Sequence, residues 1–215
     1  RGEIVRTVAA HAKEHGARMM AADFAAHVSD WVAPLAQDYR GYTLHELPPN
    51  GQGIAALMAL GILQHFDMAS YPVDSADSVH LQIEAMKLAF ADVYRHVSDP
   101  RTMTVRNAEL LDPAYLAGRA KLIDLARAQN FNHGTPPRGG TVYLTAADAS
   151  GMMVSYIQSN YMGFGSGVVV PGTGVSLQNR ATSFNLQAGH PNQVGPSKRP
   201  FQTIIPGFVT RDGQP

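Results

Sequence analysis

Cysteine is absent from the 215 residues. That excludes disulfides, thiolate metal sites and a cysteine nucleophile, and it leaves the compartment open. Net charge is absent too, with Lys plus Arg and Asp plus Glu at 17 each. The general electrostatic reason to expect nucleic acid or an anionic membrane as partner is therefore removed. No apolar run is long enough to span a bilayer. The first residues, Arg1 to Val5, lack a start methionine and a signal-peptide pattern, and they read as the middle of a helix. Arg211-Asp212-Gly213-Gln214-Pro215 reads as a hairpin turn awaiting its second strand. The expectation is an excerpt of a longer protein, with any targeting segment outside it. What is present suffices for a core: 45% of residues are hydrophobic, enough for one large domain or two small ones.

Apolar residues recur at helical spacing within residues 1–37, at Ile4, Val8 and Ala12 and again at Met19, Met20, Phe24 and Val28. That predicts two helices. His11 and His15 lie four apart on one face. Glu14 is misplaced for the zinc-protease pattern and no third ligand is near, so a solvated helix face is the preferred reading. The nine histidines are taken to form no ligand cluster, and neither metal nor cofactor is expected. Tyr42 to Leu47 alternates like a strand, and a turn with two prolines and two glycines follows. A long apolar helix is expected from Ile54 to His65. Asp74 or Ser75 caps another from about Ser78 to Tyr94, with Val79, Ile83, Met86, Leu88, Ala89 and Phe90 on its inner side. Asp99-Pro100 stops that segment, and a further helix is expected from Pro113 to Ala128. Residues 129–140 read as a polar linker containing Gly and Pro. After it, strand-like runs dominate: Thr141–Ala147, Met152–Ser159, Gly167–Val170, Val175–Leu177 and Thr203–Val209. The chain is helix-rich before Thr141 and strand-rich after it, without internal repeats.

Thr141 stands at that change of character, between Arg138-Gly139-Gly140 and an apolar, β-prone segment. If the Gly140–Thr141 bond were cut, the freed α-amine could serve as base for the hydroxyl of its own residue. A plain strand-entry turn is the alternative.

Several segments in order resemble the γ-glutamyltransferase family. Asp38-Tyr39-Arg40-Gly41-Tyr42, Leu47-Pro48-Pro49 with Gly51 and Gly53, Ile62-Leu63 and Phe66-Asp67 are similar to its large subunit. So is Glu84-Ala85-Met86-Lys87-Leu88-Ala89-Phe90-Ala91-Asp92 followed by Asp99-Pro100. Thr141 through Asp148, Gly151, Phe164-Gly165-Ser166-Gly167, Gly174, Gln178-Asn179 and Gly195-Pro196-Ser197-Lys198-Arg199-Pro200 resemble the small subunit. The resemblance implies an N-terminal-nucleophile hydrolase of α+β class, with a four-layer αββα core of which this chain is part. It implies that residues 1–140 are the C-terminal part of a large subunit and residues 141–215 the N-terminal part of a small one. Self-cleavage between Gly140 and Thr141 would give the two, held together as a heterodimer, with a dimer of heterodimers left open. Thr141 becomes the nucleophile, and Ser159 takes the place of a Thr whose hydroxyl supports it; a polar strand-end residue is the equal alternative. Thr145 is read as structural, and Gly165-Ser166-Gly167 as a tight loop beside the site rather than a phosphate loop. An Arg that binds substrate carboxylate and a Gly-Gly oxyanion hole are expected outside this chain.

The departures from the family bear on the substrate. Ser183 stands where an Asp takes the substrate amine, and Arg180 stands where Gln is usual. Gln202 and Thr203 replace a Ser pair that contacts the carboxylate. Tyr161, with Asn160 beside it, occupies the column of an acyl-pocket Asn. Losing a carboxylate and gaining a guanidinium changes the local charge by about two units, and one pair at about 4 Å is worth roughly 4 kcal/mol before desolvation at an effective dielectric near 20. A pocket so changed disfavours an ammonium-bearing acyl group and favours a plain carboxylate. The expected partner is a small-molecule amide such as oxamate, or one with a glutaryl-type acyl group, within a subgroup resembling oxamate amidohydrolases and cephalosporin-acylase-like proteins. A surface salt bridge is the bland reading of Arg180. A true γ-glutamyltransferase or glutathione hydrolase is one alternative. An unprocessed, non-catalytic binding relative is another, since Val142 and Tyr143 replace the Thr-His that commonly follows the nucleophile. Neither nucleic acid nor membrane is expected as partner. A cytoplasmic location fits the small-amide reading, and a periplasmic one would follow if a signal peptide precedes the excerpt.

Overall fold

The computed structural model describes residues 2–131 and 142–215. Gly140 and Thr141 lie outside the described residues, as does most of the expected linker. The first half begins with helices α1 (Glu3–Glu14) and α2 (Ala21–Ala26), then strands β1 (Leu35–Tyr39) and β2 (Tyr42–Glu46). Four helices follow: α3 (Ile54–Leu63), α4 (Ala76–His96), α5 (Asn107–Leu110) and α6 (Pro113–Ala120). The second half holds β3 (Val142–Ala147), β4 (Met153–Gln158), β5 (Val169–Val170), β6 (Val175–Ser176) and β7 (Phe208–Thr210). The class is mixed helix and antiparallel sheet. No helix among the described residues is long and apolar enough to cross a membrane.

The core is built around α3. Its sequence, IAALMALGIL, is apolar all round, and a helix of that kind is stable only when covered on every side. It packs against α4, α6 and the β1–β2 hairpin. Ile54, Leu57, Met58 and Ile62 are fully buried. α4 begins where expected, with Ser75 Oγ accepting the Ser78 amide at 3.2 Å. Its inner stripe is Leu81, Ala85, Leu88, Ala89 and Val93, spaced i, i+4, i+7, i+8, i+12. Val79 and Ile83, expected inside, are 39% and 52% exposed. They lie on another face of the same helix, two positions out of phase with Leu81 and Ala85. α6 ends at Ala120 rather than Ala128. Beyond it Asp124 turns the chain locally, taking the Ala126 amide on Oδ1 at 2.9 Å and Arg127 on Oδ2 at 3.0 Å.

The two halves are joined by backbone and buried charge. The sheet runs β1-β2-β7, all antiparallel, with Thr43 opposite Thr210 and His45 opposite Phe208. Gln202 donates its amide to the Asn50 carbonyl and accepts from the Gln52 amide, both at 2.8 Å. Asp99, 1% exposed, takes the Arg199 amide at 2.8 Å and the Arg101 guanidinium at 2.6 and 3.0 Å. These contacts, the Arg101 hydrogen bonds first, hold its carboxyl well below the usual carboxylate range. Of the expected strand Thr203–Val209, only its end pairs, and Pro206 offers no amide. At the end of β7 the expected hairpin turn is present. Arg211 and Gln214 exchange both hydrogen bonds at 2.8 and 2.9 Å, with positive φ at Asp212 and Gly213.

Candidate functional site

Residues 159–167, 177–184 and 201–203 converge beyond the end of the β3–β4 hairpin. That hairpin is in full register from Val142 opposite Gln158 to Ala147 opposite Met153. Its turn is closed by Asp148, whose Oδ1 accepts the Ser150 and Met152 amides at 2.8 and 3.1 Å. Ser159 follows β4 directly, at the hairpin end where β3 begins. Its Oγ accepts the Tyr161 amide at 2.9 Å.

The loop after Ser159 folds tightly onto the segment before Arg180. Asn179 donates its amide to the Asn160 carbonyl at 3.2 Å, and its Oδ1 accepts the Met162 amide at 3.1 Å. Gly165 makes this approach sterically allowed. Its φ is +72°, and a Cβ there would sit 2.6 Å from the Leu177 carbonyl oxygen and 2.9 Å from Asn160 Cβ. Ser166 then donates both its amide and its hydroxyl to that same carbonyl, at 2.9 and 2.7 Å. The expected tight loop is what Gly165-Ser166-Gly167 forms.

Arg180 is the centre of the site. It opens a short 3-10 turn, Arg180–Ser183, and is only 4% exposed. Its Nη1 donates to Thr203 Oγ1 at 2.9 Å, and its guanidinium carbon lies 5.0 Å from the centre of the Tyr161 ring. Tyr161 is itself 3% exposed, with φ +80°. Nη2 is buried and has no hydrogen-bond partner among the described residues. The surface salt bridge held open for Arg180 is not what forms: the side chain is buried and pairs with no carboxylate among the described residues. Burial pushes its pKa down, with Tyr161 opposing, yet a guanidinium stays cationic in any protein setting. The arrangement is an interior cation with one face stacked, one nitrogen held and one nitrogen unsatisfied, and such a group favours an anionic oxygen acceptor.

The other expected binding residues are placed differently. Ser183 directs its hydroxyl at the Arg180 and Phe201 carbonyls, at 2.8 and 2.9 Å. The Gln202 side chain turns back to accept the Thr203 amide at 3.0 Å. Both therefore hold the backbone around Arg180. Asn160 packs its Cβ against Gly165 and contributes its carbonyl. The structure thus brings Tyr161 and Thr203 each onto Arg180, with Ser183, Asn160 and Gln202 as their frame. Asn192, which sequence reasoning missed, ties that frame together. It is 6% exposed, donates Nδ2 to the Ser183 carbonyl at 2.7 Å and accepts the Phe201 amide at 3.1 Å. Its only sequence signal is the Pro191-Asn192 turn dipeptide.

Comparison with known proteins shows the family. The family description "Gamma-glutamyltranspeptidase" matches residues 1–215. The chain belongs to the γ-glutamyltranspeptidase family. It is 36% identical over its whole length to a protein of Bacillus subtilis named "Glutathione hydrolase-like YwrD proenzyme", covering 40% of that protein. It is 37% identical to "Oxamate amidohydrolase proenzyme" of Klebsiella pneumoniae, with all of this chain and 43% of the relative covered. Among solved structures, cephalosporin acylase from Bacillus halodurans superposes with a TM-score of 0.92 at 48% identity, over all of this chain and 39% of that one. The chain thus spans about two fifths of the length of these relatives.

Proposed function

We propose that this chain is the central part of a self-processing amide-bond hydrolase acting on a small, carboxylate-bearing amide of the oxamate kind. Thr141 is its nucleophile, and residues 1–140 and 141–215 belong to the two subunits that cleavage produces. In the complete protein they would contribute to a four-layer αββα core. The observation that carries the substrate reading is the buried Nη2 of Arg180, which has no partner among the described residues. The names of the relatives support the rest: they are proenzymes, an oxamate amidohydrolase among them.

In this reading Thr141 Oγ attacks the Gly140 carbonyl carbon, and the Gly140–Thr141 amide bond becomes an ester. Water hydrolyses the ester, leaving a carboxylate on Gly140 and a free α-amine on Thr141. An α-amine has an ordinary pKa of about 7.7–8.0, so a useful fraction is neutral near pH 7 and can accept the hydroxyl proton. Ser159 lies at the hairpin end where β3 begins, one residue past the partner of Val142, and there it would orient the Thr141 hydroxyl. The mature hydroxyl attacks the substrate amide carbon, the amine or ammonia leaves with the transferred proton, and the acyl group remains as an ester on Thr141. Water releases it as the acid. Arg180 Nη2 would hold the substrate carboxylate, while Tyr161 and Thr203 keep the guanidinium from turning away.

The test is a comparison of oxamate with a γ-glutamyl anilide as substrates of the purified full-length protein. Faster hydrolysis of oxamate is expected. Preference for the γ-glutamyl compound would return the protein to glutathione-type chemistry. No turnover of either by an uncut chain would favour a non-catalytic relative.

A further inference from the structure

At the C-terminal end of α1 the structure assembles three metal-ligating side chains that the amidase reading does not use. His11, Glu14 and His15 each place one donor atom within 4.8 Å of the others. Sequence reading weighed Glu14 only against the zinc-protease pattern. On the helix, spacing i, i+3, i+4 stacks all three on one face, and Glu14 is the third donor that the histidine pair lacked.

Three features make this more than a chance grouping. The His15 ring is already oriented. Its Nδ1 lies 2.9 Å from the His11 carbonyl oxygen, and a carbonyl only accepts, so in the neutral ring Nδ1 carries the proton and Nε2 presents its lone pair outward. A backbone carbonyl on the far nitrogen is the usual support for a metal-bound imidazole. The two rings are near each other, with centroids 4.1 Å apart and planes 36° apart, so modest side-chain rotation brings both nitrogens onto one ion. The cluster also sits at the C-terminal end of a twelve-residue helix, with His11 and Glu14 in its last turn and His15 as its cap, where the carbonyl ends of the peptide dipoles favour a cation. Val8 and Ala12 face the interior, and α1 packs against α2 and β5. His11 is half-buried, while Glu14 and His15 are exposed, so the ligand face is open to solvent.

We propose that His11, Glu14 and His15 form a zinc site. Two imidazoles and a carboxylate are a donor set suited to Zn²⁺. With all three ligands on one helix, water completes the coordination, and the ion exchanges with solvent. Its effect is to clamp the end of α1, the helix of the first half that reaches β5 of the second.

Isothermal titration of Zn²⁺ into the metal-free full-length protein tests this. One saturable zinc per chain is expected. His15→Ala removes an exposed ligand with little risk to folding, and should weaken binding by at least about tenfold, the lower bound for losing even an outer partner of a ligand. Glu14→Gln should weaken it in the same direction. His65→Ala, which changes an exposed histidine elsewhere, should leave the isotherm unchanged. Zinc should raise the melting temperature of the unaltered protein and not that of His15→Ala. Absence of saturable zinc binding overturns the proposal. So does an isotherm that His15→Ala leaves intact, or one that His65→Ala weakens equally.

Discussion

Replacing Arg180 by Gln should separate activity from stability. The side chain is 4% exposed and its Nη2 has no partner among the described residues. A hydrogen bond from such a cation to a substrate carboxylate is worth about 1.5–3 kcal/mol, and truncating one member of a desolvated charged pair costs about 2–5 kcal/mol. Taken together, kcat/KM for oxamate should fall by roughly 10²- to 10³-fold, since 1.4 kcal/mol is about tenfold. The folded state responds differently. Gln loses the charged hydrogen bond to Thr203 and the stack on Tyr161, contributions of about 1.5–3 and 0.5–2 kcal/mol. It also relieves the burial of a cation that no carboxylate among the described residues balances, a cost of several kcal/mol. These terms oppose each other, so the melting temperature should move little. Arg180→Lys should not rescue activity, because an ammonium cannot hold Thr203 and a carboxylate at once in the planar geometry of the guanidinium. Steady-state kinetics and thermal melts of the full-length variants are the assays. An Arg180→Gln protein that folds and hydrolyses oxamate at the original rate would refute the assignment.

Three further predictions concern the frame. Glu46 is 5% exposed, pressed between Gly53 and Gly207, and its Oε2 has no partner among the described residues; burial raises its pKa to about 7. The unfolded chain gives up this proton first, so stability should fall by about 2–3 kcal/mol as pH rises from about 4.5 to 7, at 1.36 kcal/mol per unit. Denaturant melts at the two pH values should show this, and Glu46→Gln should flatten it. Gly165→Ala forces a side chain into positive φ and against the Leu177 carbonyl, costing about 2–5 kcal/mol from the two effects together; an unchanged melt would show that the loop yields. Asp99→Ala leaves the Arg199 amide without its partner and should destabilise by about 1–3 kcal/mol, since the Arg101 it frees is largely exposed. The Asp99 contribution should also fade on acidification below about pH 4, because its folded pKa is depressed.

The apolar helices were legible because burial on all sides leaves a dense pattern: α3 is nearly all Ile, Leu, Ala and Met, and α4 carries its own Ser cap. β1 was not legible. Leu35-Ala36-Gln37-Asp38-Tyr39 has no β-branched residue, and it is a strand because it pairs with β2 and lies on α3. The inner face of α4 was misjudged because Val79 and Ile83 are as apolar as the residues that face the core. In the site, the departures at Tyr161, Arg180 and Thr203 were readable, and Arg180 touches both of the others. Ser183 and Gln202 turn their side chains to nearby backbone, and sequence position cannot tell which way a hydroxyl or amide turns. Asn192 and Glu46 escaped notice because their importance comes from burial alone.

The most direct test of the central claim is intact-mass analysis of the full-length protein after purification, alongside Thr141→Ala. The account predicts two chains for the unaltered protein, the second beginning at Thr141, and one uncut chain for the variant. A single chain from the unaltered protein, stable over days, would contradict it, and so would a Thr141→Ala protein that still separates into two.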